Sequence, residues 1–106
     1  MVEGLYFINN RIELEERNRQ RSIEIQIKST RQYISTHSLH IITINPYQLH
    51  DYYTILHALL FDLQNKDLYC DFLLIHSQGV IEDFIFHYPE YWRKLSTRFN
   101  RLISVQ

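Results

Sequence analysis

Glycine and proline are scarce, two of each in 106 residues. That excludes a collagen-like repeat and a Pro/Gly-rich disordered chain, and it argues against a loop-dominated fold. With so few glycines, neither a dinucleotide-binding fingerprint nor a phosphate-binding loop can be written. The single cysteine, Cys70, cannot close an internal disulfide, so an intracellular, cytoplasmic protein is the simplest expectation. No apolar run approaches the length of a membrane span, and the stretch from Met1 to Ile8 has neither the basic region nor the long apolar core of a signal peptide. No membrane partner is expected. Charge of one sign is also missing: eleven basic residues face twelve acidic ones, for a net charge of -1. A domain that grips duplex DNA usually has a clear positive excess, so nucleic acid could be bound only through a local patch.

Apolar residues make up 45% of the chain, and eight Tyr, six Phe and one Trp are aromatic. This is the composition of one globular domain over residues 1–106, with a modest core. The first segment alternates: Tyr6, Ile8, Ile12 and Leu14 share one parity, as on one face of a strand. The polar run 15–21 reads as a hairpin connection. Ile23, Ile25 and Ile27 alternate with Glu24, Gln26 and Lys28, the cleanest strand pattern in the chain. Thr30 could cap a single turn carrying Tyr33 and Ile34, and the run His40 to Ile44 predicts a further strand.

Asn45-Pro46 predicts a helix start, and Leu49, Tyr52, Tyr53, Leu56, Leu60 and Leu63 recur at helical spacing, so a helix is expected over 46–64. Leu68 to His76 reads as a strand. Val80 to His87 reads as its hairpin partner across a tight turn at 78–79, with Gly79 at positive φ. Pro89 opens a last helix over 89–104 with Trp92, Leu95, Phe99, Leu102 and Ile103 as its apolar stripe. The expected fold class is α+β: a mainly antiparallel sheet of about five strands with two helices packed on one face.

Chemistry is sparse. His50 and His57 lie seven residues apart on the expected helix, about 10 Å along its axis, too far to share a metal at bond lengths near 2 Å. Cys70 is flanked by Asp71, and a neighbouring carboxylate raises a thiol pKa, so it reads as a packed cysteine rather than a nucleophile. No serine sits in a nucleophile elbow. No catalytic residue, cofactor or metal is assigned.

Two surfaces remain. Aromatic and apolar groups surround much of the long expected helix and the start of the last one. Tyr52, Tyr53, Leu59, Phe61, Tyr91 and Trp92 are the expected protein interface, since such side chains bury large area with little entropy loss. A chain this small with this surplus is expected to form a homodimer and to bind a protein partner. The second surface is basic: Arg93, Lys94, Arg98 and Arg101 at helical spacing, with Arg17, Arg19 and Arg21 at the expected hairpin tip. The reading is a small non-enzymatic protein-binding or regulatory protein. The alternative is a nucleic-acid-binding regulatory module that uses the basic face of the last helix.

Overall fold

The structure is a computed structural model and describes residues 2–14 and 18–106. The chain runs β1 (Glu3–Tyr6), α1 (Arg19–Thr36), β2 (His40–Ile41), α2 (Leu56–Asn65), β3 (Cys70–Ile75), α3 (Glu82–His87), α4 (Pro89–Ser96) and β4 (Phe99–Ser104), with a 3-10 turn at Gln78–Val80. Among the described residues, four strands form one sheet in the order β2-β1-β3-β4, every pair parallel. This corrects the expected antiparallel five-stranded sheet with two helices on one face.

Parallel strands need crossovers, and these place helices on both faces. Tyr6, Ile8, Phe72, Leu74 and Ile103 pack under α1 through Ile23, Ile27, Tyr33 and Ile34. Leu5, Phe7, Leu73 and Ile75 point the other way, against Leu56, Leu59, Leu60 and Leu63 of α2 and Leu95 of α4. β3 is therefore covered on both sides, which explains its unbroken apolar run Phe72-Leu73-Leu74-Ile75. At Gly4 the strands meet so closely that an added Cβ would fall on the Phe72 carbonyl oxygen and 2.6 Å from Phe72 Cγ.

The expected strand over 22–28 is the middle of α1. Its alternation of isoleucines is real, but the same residues also carry a helical stripe. Ser22, Gln26 and Thr30 recur every four residues and are fully buried, flanked by Ile23 and Ile27. The small side chains of Ser22 and Thr30 let the helix lie close to the sheet. Thr30 Oγ1 is satisfied by donating to the Gln26 carbonyl at 2.7 Å. The helix starts at Asn18, whose Oδ1 accepts from the Arg21 amide at 2.8 Å. The hairpin expected over 15–21 is replaced by this helix start, and its residues 15–17 lie outside the described residues.

The helix expected over 46–64 begins only at Leu56. Asn45 turns the chain instead of capping a helix: its Oδ1 accepts from the Tyr47 amide at 3.0 Å and its carbonyl from Gln48 N at 3.1 Å. Residues 80–87 form no strand. They complete the 3-10 turn and then α3, and no glycine has positive φ. The last expected helix stops at Ser96, where the Ser96 and Thr97 hydroxyls donate back to the Arg93 and Lys94 carbonyls at 3.0 and 2.7 Å. Phe99 to Ser104 then pair with β3. Backbone pairing with β3 outweighs helical spacing there, and of the strand only Ile103 is buried.

Candidate functional site

The crossover from β1 to β2 runs over one face of the sheet and the crossover to β3 over the other. The strand order therefore reverses between β1 and β3, and a crevice opens outside their carboxyl ends, the usual ligand position in open α/β sheets. The loop after β1 forms one lip. The buried Gln26 of α1 clamps it: Oε1 accepts from the Asn9 amide at 2.8 Å and Nε2 donates to the Asn9 carbonyl at 2.8 Å. Asn9 Nδ2 then donates to the Val80 carbonyl at 2.9 Å, which ties this lip to the one after β3. The Arg11 amide donates to Asn9 Oδ1 at 2.9 Å, and Arg11 Nη1 reaches the Thr54 carbonyl at 3.0 Å.

A cleft of about 590 Å³ lies here, between Asn9 and Arg11 on one side and His57, Asp83, Phe84 and Tyr88 on the other. That volume falls in the range of ligand pockets. Its wall is a ring cluster from three helices. The His57 ring meets Phe84, Tyr88 and Tyr91 at centroid distances of 5.0, 4.6 and 4.9 Å, all edge-on. Tyr88 also meets Phe84 at 5.5 Å, and His87 links Tyr88 to Phe86. His87 Nδ1 lies 2.8 Å from the Asp83 carbonyl, which can only accept, so Nδ1 carries the proton and the other ring nitrogen faces away from that bond. Phe86 is 79% exposed and Tyr88 and Tyr91 are each 46% exposed.

A second pair of bonds fixes the segment between β2 and α2. The Tyr6 hydroxyl donates to Asp51 Oδ1 at 2.6 Å, with Arg31 Nε donating to the phenol at 3.3 Å. The Tyr53 hydroxyl donates to Asp62 Oδ2 at 2.6 Å, and Asn45 Nδ2 reaches the same oxygen at 3.3 Å. Burial first, and the hydrogen bond to Asp51 second, push the Tyr6 phenol up to about 12. Tyr53 is raised for the same reasons, burial and then Asp62. Both phenols stay neutral donors at neutral pH. The Cys70 thiol is pushed up to about 11 by burial and then by the Asp71 and Glu3 carboxylates, so it is not a thiolate near neutrality. Among the described residues no group of three His, Cys, Asp or Glu side chains is placed to hold a metal ion.

The residues expected at a protein interface divide. Tyr52, Tyr53 and Leu59 are buried in the core, Trp92 is half-buried against it, and Phe61 and Tyr91 are exposed. Tyr91 alone of the six joins the ring cluster. The expected basic face is dispersed, because the helix that was to carry it ends at Ser96. Arg93 pairs with Glu90 at 3.1 Å, and Lys94 Nζ lies 5.9 Å from the Tyr91 ring centre. Arg98 pairs with Asp67 at 3.2 Å and stacks on Tyr69, with only 15% of its side chain exposed. Arg101 lies on β4. Arg19 and Arg21 sit in the first turn of α1, and Arg17 lies outside the described residues.

Gln26, Asn9 and Phe84 were missed from the sequence. Gln26 occupies a position that alternation assigns to solvent, and Phe84 was placed on a strand. The one available signal was Asn9-Asn10-Arg11, a polar break directly after an apolar strand. No described helix is long and apolar enough to cross a membrane. Comparison with protein-family models, curated proteins and solved structures finds no match to this chain.

Proposed function

We propose that this protein is a small non-enzymatic regulatory module of the cell interior that works by binding another protein, and that it does so as a homodimer. The observation that carries the reading is the ring cluster of His57, Phe84, Phe86, His87, Tyr88 and Tyr91 beside the switch-point cleft. Aromatic groups left exposed in one contiguous patch are what protein-binding hot spots are made of. The cleft is wide enough to accept an apolar anchor residue from a partner, with the Arg11 guanidinium on the opposite rim. The arrangement lends less to a nucleic-acid-binding regulatory module, because Arg93 and Arg98 are engaged by carboxylates and Arg101 lies on a different element.

The test is affinity capture from the cells that express the protein, with the wild type and a Tyr88→Ala/Tyr91→Ala variant of matching circular dichroism. A partner held by the wild type and lost by the variant is the expected result. A partner held equally by both would overturn the assignment of this surface.

A further inference from the structure

We propose that two copies of this chain pair edge to edge through β4, antiparallel about a twofold axis, and so join their sheets into one. This rests on the homodimer reading above and names the surface that forms it. The sheet has two outer strands among the described residues, β2 and β4. β2 has two residues and is too short to template pairing, whereas β4 has six. β4 also carries few of the devices that blunt an edge: it has no proline and one charge, Arg101, for which no ion pair is formed among the described residues. The Val105 amide donates to the Ile75 carbonyl at 3.0 Å, so by the alternation of a parallel ladder the backbone groups of Leu102 and Ser104 face outward.

Depressions flank this strand on both faces. One of about 430 Å³ lies on the α1 side beside Tyr33, His37 and Asn100, and one of about 180 Å³ on the α4 side beside Trp92, Phe99 and Leu102. An added strand sends its side chains alternately to the two faces. A second β4 fits this requirement. With Leu102 on the twofold axis, Leu102, which is 41% exposed, meets its own copy beside Trp92 and Phe99. In that register Arg101 lies across from Ile103 of the second copy, so the two guanidinium groups are not opposed. Pairing of like edges closes as a dimer and leaves only the short β2 at each end of the joined sheet, which stops growth into a filament.

The experiment is sedimentation velocity on the wild type, on Leu102→Lys and on the Tyr88→Ala/Tyr91→Ala variant, with amide exchange across β4 at low and high protein concentration. The proposal expects a wild-type mass of twice 13.0 kDa, a monomeric Leu102→Lys of unchanged circular dichroism, and an unaltered dimer for the ring variant. It also expects the Leu102 and Ser104 amides to exchange at least tenfold more slowly as the dimer forms. A dimer that survives Leu102→Lys, or whose β4 amides stay unprotected, would overturn the edge pairing while leaving a homodimer. A wild-type monomer would overturn both the edge pairing and the homodimer, and would leave the partner-binding rings to their own test.

Discussion

Gln26 shows how one side chain places a site. It is fully buried on α1, yet it satisfies both backbone groups of Asn9 and so sets the lip of the crevice. Replacing it with alanine removes three hydrogen bonds, the third from Nε2 to Ser22 Oγ at 3.2 Å, and leaves the part-buried Asn9 amide and carbonyl without these partners. Gln26→Ala is expected to lower unfolding free energy by about 2–4 kcal/mol in urea denaturation, since each such group costs about 1–3 kcal/mol. Loss of less than about 0.5 kcal/mol would contradict the clamp. Cys70 gives a second test at this scale. The residue is 6% exposed and its thiol is pushed up to about 11, so a disulfide reagent at pH 8 should react only as fast as the protein unfolds. Rapid labelling of native protein would show the site to be open.

Tyr6, Tyr53 and Cys70 titrate in the same sense. Each holds its proton more tightly in the folded chain than in the unfolded one. Their contribution to stability is therefore complete below the unfolded values, and it is lost as pH rises through the folded ones. For Tyr6 that window runs from 10.0 to about 12. An alkaline titration followed by tyrosinate absorbance should show Tyr6 and Tyr53 ionising late, together with loss of helix signal. In Tyr6→Phe the late absorbance step should shrink. Full ionisation of all eight tyrosines with helicity intact would contradict the buried phenol–carboxylate pairs.

At the scale of elements, the chain from 19 to 36 carries two periods at once. Ile23, Ile25 and Ile27 satisfy a strand, while Ser22, Gln26 and Thr30 satisfy a helix whose buried face is polar. Reading apolar residues alone favours the strand, because two of the deepest helix positions hold small hydroxyl side chains and the third is an amide. Asn18→Ala should remove the cap and destabilise the protein by about 1 kcal/mol, read by thermal or urea unfolding. No change would mean that α1 starts elsewhere. β3 was legible, because a strand buried on both faces is an apolar run bounded by polar residues, as at Cys70–Ile75. That Cys70 packs on a strand was legible too, from its place at the start of that run. The ring cluster was legible only as composition. Tyr88 and Tyr91 could be seen as aromatic, but their meeting with His57 depends on α2, α3 and α4 folding over one face of a parallel sheet. The strand β4 was hidden by the opposite accident: Leu95, Phe99 and Ile103 keep a helical spacing across a turn and a strand.

At the scale of the whole molecule, the parallel order β2-β1-β3-β4 does two things. It opens a crevice beyond the carboxyl ends of β1 and β3, and it leaves β4 as a long outer strand among the described residues. The crevice lies beside the ring cluster, the surface proposed to bind a partner, and the outer strand is the edge proposed to pair with itself. The central claim is that the ring cluster is the surface that touches a partner. It is tested most directly by placing a photo-reactive phenylalanine analogue at position 88, and a control at the exposed Lys28 on α1, in the cells that express the protein. Illumination should join position 88 to one defined protein and position 28 to none, and Tyr91→Ala should weaken the join at 88. Equal capture at both positions, or none at 88, would contradict the account.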